Sequence, residues 1–166
     1  VQTQIQLAQG STLNELGLDY SGVGTARGYA IQNRINMETL SPDGIVRPSG
    51  GTLRSYEAPS GPGVRTDGFG YAGYTTSPSF DSLLAKVITH SANPNFDVAV
   101  QRSLRALSEF RIEGVDTNIP FLVNVLNHSD FYDGSIHTRW VDENVATLAK
   151  EPDAAGPKKW VETQEV

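Results

Sequence analysis

Residues Glu57 to His90 read EAPSGPGVRTDGFGYAGYTTSPSFDSLLAKVITH. The stretch opens on a Gly-Pro-Gly turn at residues 61–63, which restricts the backbone immediately before Val64-Arg65-Thr66. A second glycine-rich turn follows, and then an apolar run from Leu83 to His90 whose end, Val87-Ile88-Thr89, is β-branched and favours strand. Arg65 stands between the two turns, with a planar fork suited to an oxyanion or a carboxylate.

Upstream of this stretch, Gly28 to Asn36 reads as a strand. A short strand is expected around Ile45-Val46 between tight turns, another over Thr52 to Tyr56, and a further one at Gly63 to Thr66. Downstream, Asp97 fits a helix N-cap, and Val100, Leu104, Leu107 and Phe110 recur at helical spacing with Arg102, Arg105 and Glu109 turned outward. A short strand Arg111 to Glu113 and Gly114 lead to a cap at Thr117 or Asn118. Pro120 falls in the first turn of a helix carrying Phe121, Leu122, Val125 and Leu126. A last strand over Ile136 to Val141 and a helix at about 143–150 are expected before a tail of linker composition, EPDAAGPKKWVETQEV. Strands first, then strand–helix–strand–helix, favour an α+β fold with a mostly antiparallel sheet and packed helices.

The start, VQTQIQLAQG, reads as the end of an amphipathic helix already under way at Val1, closed by Gly10, as if the chain were cut from something longer. Thr12 and Glu15 form a possible capping box over a single turn. With 166 residues and 38% hydrophobic content, the chain can bury one core. No cysteine is present, so thiolate nucleophiles, disulfides and Cys-ligated metals are excluded. A net charge of −6 argues against nucleic acid as a partner, since binding a duplex requires Lys and Arg to displace phosphate counterions. No apolar run reaches the roughly 20 residues that span a bilayer, so no membrane partner and a cytoplasmic location are expected.

Gly68-Phe69-Gly70-Tyr71-Ala72-Gly73 is literally GxGxxG, but the β-branched, proline-bearing segment after it cannot open the helix a pyrophosphate needs, so a loop is expected. His90, His128 and His137 have no metal-ligand spacing; they read as solvated or hydrogen-bonded structural residues, and no metal site is expected. Asn127-His128-Ser129 reads as a helix end. Alternation puts Glu38 on the face of Gln32 and Arg34, which suggests an Arg–Glu pair bracing a sheet.

The succession GYAIQNRIN, GGTLRSYEAP, GPGVR, YAGYTTSPSFDSLLAKVI, RALSEFRIEGVDTN and FLVNVLN resembles the C-terminal part of the biotin carboxylase component of biotin-dependent carboxylases, over residues 1–150. The resemblance implies residues 1–40 as the C-terminal remnant of an ATP-grasp domain, 41–150 as the biotin carboxylase C-terminal domain, and 151–166 as a linker or tail. It implies an enzyme that uses MgATP and bicarbonate to carboxylate biotin on a carrier, within an acetyl-CoA, acyl-CoA or pyruvate carboxylase. The resemblance implies Arg65, by its place in GPGVR, as the residue that faces the biotin ureido oxygen, and Glu113 and Asp116, which flank Gly114, are expected near the outer wall of the biotin pocket. Asp81 is expected to cap or turn the chain, Ser82 to bond backbone, and Lys86 to project from a strand edge. The metal-holding and general-base residues belong to the ATP-grasp segment upstream of Val1, so the chain alone is expected to catalyse nothing and to hold biotin, ATP and Mg only within the complete enzyme. The partners implied are that upstream domain, a biotin carboxyl carrier domain, and a second copy meeting it through the 97–110 helix and the strand before it. A free-standing, non-catalytic ligand- or protein-binding domain is the competing reading.

Overall fold

The structure, a computed structural model, describes residues 1–19, 21, 24–77 and 79–151. In chain order its elements are α1 (Gln2–Ala8), β1 (Tyr29–Asn36), β2 (Glu38–Leu40), β3 (Val46–Pro48), β4 (Ser55–Glu57), β5 (Val64–Gly68), β6 (Leu83–Ser91), α2 (Phe96–Glu109), β7 (Arg111–Glu113), α3 (Ile119–Asn127), α4 (Ser129–Asp133) and α5 (Trp140–Leu148). Every strand pair is antiparallel: β1 and β5 flank β6, β2 pairs with β3, and β4 pairs with β7. The α+β reading with antiparallel sheets and packed helices therefore holds. The tail beyond Glu151 lies outside the described residues.

The three-stranded sheet has one covered and one open face, set by the period-2 alternation of its strands. Asn33 and Ile35 of β1, and Ala85, Val87 and Thr89 of β6, are buried, while their neighbours Gln32, Arg34 and His90 are exposed. Over the covered face lies α2, whose buried Ala99, Val100, Ser103, Ala106 and Leu107 form one stripe at helical spacing. Ile35, Ala85, Val87, Val100, Leu107 and Phe110 make a core with Val123 and Leu126 of α3. A smaller cluster, Met37, Leu53 and Leu84, lies under the loop before β4, and Tyr56 packs against both clusters.

Capping differs in detail from expectation. Asn95 caps α2, its side chain accepting the Asp97 N–H at 2.9 Å, so Asp97 falls in the first turn, where its charge complements the helix dipole. Asn118 does sit at the α3 cap position, but its side chain turns to β1, accepting from Asn36 N at 2.9 Å and donating to the Arg34 carbonyl at 3.1 Å. It ties helix to sheet rather than capping its own helix. The helix closure expected at Gly10 is present: α1 ends with Gly10 at φ +100°, Ser11 N bonding Gln6 O and Gly10 N bonding Leu7 O, a Schellman motif. Thr12 and Glu15 exchange the reciprocal bonds of a capping box, and these backbone and hydroxyl donors hold the Glu15 carboxyl below its usual range.

The strand expected over Ile136 to Val141 is absent; residues 135–139 are irregular and α5 begins at Trp140. The reason is tertiary. Trp140 is buried, donates its indole N–H to Asp130 Oδ2 at 2.8 Å, and meets the His128 ring edge to face, which fixes the helix start there. Asn127-His128-Ser129 is the junction of α3 with α4, a helix not anticipated, in which the Asp130 N–H donates to His128 Nδ1 at 3.2 Å. The strand β2 was likewise not anticipated; it forms because the turn around Gly44 folds Val46–Pro48 back onto Glu38–Leu40.

Candidate functional site

The GPGVR segment is built as a turn entering β5. Gly61 and Gly63 both take positive φ, +112° and +72°, and a Cβ on Gly63 would strike the His90 carbonyl and the Arg102 guanidinium. The Gly63 carbonyl accepts the His90 N–H at 2.8 Å, so the turn is locked to the central strand. From beneath, Arg102 of α2 reaches up to donate to the His90 carbonyl, and so is not simply turned outward as its spacing suggests. Arg105 does remain outward, paired with Glu109 at 3.1 Å.

Arg65 leaves this turn on the open face of the sheet. Its side chain is 71% exposed and makes one ion pair, Nη2 to Asp67 Oδ2 at 3.0 Å, with the residue two positions along the same strand. Opposite Arg65 on β6 lies Ile88, and opposite Asp67 lies Lys86; on the far side of β6 these face Gln32 and Arg34 of β1. Lys86 thus projects from the central strand, not from an edge. Arg34 approaches Asp81 at 4.0 Å, and no Arg–Glu pair forms with Glu38. Instead Glu38 accepts from Asn36 Nδ2 at 2.9 Å and from Ser82 Oγ at 2.7 Å, because the register shift at Ile35/Asn36 carries the chain out of the sheet before Glu38. Ser82 therefore bonds a side chain rather than backbone. Asp81 does turn the chain, accepting the Leu83 N–H at 2.8 Å.

Glu113 lies on another sheet. It ends β7 opposite Ser55 and is held by Arg111, whose guanidinium donates at 2.8 Å to its carboxylate and at 3.2 Å to Glu57 across the ladder. The Glu113 hydrogen bond and charge, joined by Glu57, raise the Arg111 pKa above its usual value. Gly114 follows with φ +102°, where a Cβ would run into the Thr52 carbonyl. Among the described residues no hydrogen bond or ion pair joins Arg65 to Glu113.

The GxGxxG segment is a loop that opens no helix. A Cβ on Gly68 would lie 2.5 Å from the Tyr56 hydroxyl, and one on Gly70 2.5 Å from the Tyr56 ring, so these two glycines make room for Tyr56. The histidines take structural partners: His90 the Arg27 carbonyl at 3.2 Å, His137 the Glu143 carboxylate at 3.5 Å. No group of three His, Asp or Glu side chains fit to hold a metal ion occurs among the described residues. A concavity of about 420 Å³ lies between the β2–β3 hairpin and helices α3 and α5, bordered by Glu38, Asp43, Asp142 and apolar side chains; Arg65 is not on it.

The site is thus an arginine held by a glycine turn on an open antiparallel sheet, with α2 supporting the turn from below. The family model for the biotin carboxylase C-terminal domain matches residues 32–143. The chain belongs to that family. It is 41% identical over 150 residues to a pyruvate carboxylase of Aspergillus terreus (strain NIH 2624 / FGSC A1156), covering 90% of this chain and 12% of the relative. It is 41% identical over 142 residues to biotin carboxylase 1 of Bacillus subtilis (strain 168), covering 86% and 30%. Among solved structures, a single-chain, multi-domain long-chain acyl-CoA carboxylase superposes with a TM-score of 0.78 at 42% identity, covering 88% of this chain and 16% of that one. The biotin carboxylase subunit of pyruvate carboxylase gives a TM-score of 0.76 at 34% identity, covering 90% and 31%. The chain thus spans 12% to 30% of the length of these two curated relatives.

Two residues of this biotin carboxylase C-terminal domain escaped the sequence reading. Asp67 could have been found from strand alternation, since residues two apart share a face. Arg102 could not, because its link to the Gly63 turn joins segments that only the tertiary fold brings together.

Proposed function

We propose that this chain is the C-terminal portion of an ATP-dependent biotin carboxylase, within a pyruvate or acyl-CoA carboxylase, and that Arg65 supplies positive charge to the biotin ureido oxygen. The single observation that carries the reading is Arg65 itself: a guanidinium at the start of β5, just after a turn locked by Gly61, Gly63 and His90, with most of its surface open. Biotin's ureido group gathers negative charge on oxygen when its nitrogen is deprotonated, and a fixed cation at that oxygen lowers the barrier as an oxyanion hole does. The fork fits this need, since only Nη2 is engaged and the other donors are free.

Within this reading residues 1–40 end an ATP-grasp domain, 41–150 form the C-terminal domain, and 151–166 lead onward. Strand β1 is then shared: its sequence falls in the first segment and its hydrogen bonds in the second. Support for an upstream neighbour comes from α1, which buries nothing, and from Ile5, Leu13 and Leu18, which are 53%, 52% and 39% exposed. MgATP and bicarbonate would be held by that neighbour, biotin would arrive on a carrier domain, and the isolated chain would be inactive. Glu113 belongs to the outer wall of the biotin pocket, held there by Arg111. A homodimer through α2 and β6 and a cytoplasmic location complete the reading.

The test is Arg65→Ala in the complete carboxylase. Biotin-dependent turnover is expected to fall about 10²–10³-fold, the usual effect of losing one oxyanion donor. ATP cleavage measured without biotin should survive. Equal loss of both would place Arg65 in folding or in the ATP site.

A further inference from the structure

Asp67 is the only acidic residue in the three strands of the open sheet. Its cross-strand neighbour is Lys86, yet its ion pair runs along β5 to Arg65, at 3.0 Å. The two side chains are 71% and 49% exposed, so the pair contributes little to stability. Its effect is on orientation. A free arginine samples many rotamers, and freezing it when ligand arrives opposes binding and catalysis. A carboxylate that holds Nη2 from the strand side restricts the guanidinium beforehand and leaves Nε and Nη1 for an incoming oxyanion.

We propose that Asp67 is a positioning residue for Arg65, holding one edge of its guanidinium so that the other edge is aimed off the open sheet face. This rests on the reading of Arg65 given above. It acts through Arg65 alone, so its loss should have little effect once Arg65 is gone.

Three variants of the complete carboxylase test it: Asp67→Ala, Arg65→Ala, and the two combined. Asp67→Ala should lower kcat of the biotin-dependent reaction about tenfold, within the roughly hundredfold that misplacing a group can cost. KM for biotin should change less than about twofold, the signature of an interaction used in the transition state. Adding Asp67→Ala to Arg65→Ala should cost nothing further. Independently of activity, phenylglyoxal labelling of Arg65 in biotin-free enzyme, mapped by mass spectrometry, should be several-fold faster in Asp67→Ala. An unchanged or raised kcat in Asp67→Ala would overturn the proposal, because Asp67 would then be idle or would mask Arg65. Losses that multiply in the double variant, or unchanged labelling, would overturn it too. If Arg65→Ala leaves turnover intact while labelling still responds to Asp67, the pair stands and the reading of Arg65 falls.

Discussion

The two faces of the three-stranded sheet are made by alternate residues of the same strands, and they have opposite chemistry. Beneath α2, Ile35, Val87 and Thr89 are fully buried, and the one charged side chain that reaches in from the helix, Arg102, ends on a backbone carbonyl. On the other face stand Arg34, Lys86, Arg65 and Asp67, with open surface around them. Burial of apolar area stabilises the first face, whereas exposed ion pairs on the second add little. Under the role proposed for Arg65, stability and function would therefore be nearly separable here: one residue along the strand would move a substitution from one property to the other.

The largest expected effect on this contrast comes from the covered face. Leu107→Ala, at a position 1% exposed, should destabilise the protein by about 2–5 kcal/mol in urea unfolding. Arg65→Ala should change stability by no more than about 0.5 kcal/mol. A Leu107→Ala loss as small as that would mean that α2 does not close the core.

A sharper probe is the polar pair on the covered face. Asn33 Nδ2 donates to Ser103 Oγ at 2.6 Å, both residues buried between β1 and α2. Asn33→Ala leaves Ser103 without that partner and should cost about 1–3 kcal/mol. Replacing both residues by Ala should cost less than the sum of the single losses, read from a double-mutant cycle. Additive losses would show that the bond itself contributes nothing.

The smallest effect lies outside the three-stranded sheet, at Tyr56 of β4, which packs against both core clusters. Burial of Tyr56 raises its phenol above the ordinary 10.0, since desolvation disfavours the phenolate. A raised folded pKa means a contribution fully present below the unfolded value and lost as pH rises through the folded one. Stability should thus decline above about pH 10, the unfolded value, and Tyr56→Phe should flatten that part of the curve. An unchanged slope in Tyr56→Phe would assign the alkaline loss to other groups.

Much of this was legible in the residues. The glycine turns around Arg65, the β-branched Leu83–His90 run and the helical spacing of Val100, Leu107 and Phe110 are local patterns, and each became the element it suggested. What was not legible depended on distant partners. Ile136 and Val141 look like a strand, but both are exposed, at 47% and 40%, and among the described residues no strand pairs with them. Glu38 seemed bound for Arg34 until a register shift delivered it to Ser82.

The sequence by itself determined the antiparallel α+β order and the exposed strand position of Arg65, because periodicity and turn chemistry act within a few residues; its motifs also carried the resemblance to the family. Strand alternation puts Asp67 on the face of Arg65, but only the tertiary structure decided that Asp67 pairs with Arg65 and not with its cross-strand neighbour Lys86, that Arg102 supports the Gly63 turn from below, and that Glu113 sits on a separate ladder with Arg111. Those contacts depend on which strands pair and which helix covers them, and pairing is fixed by the burial of the whole core rather than by any short segment.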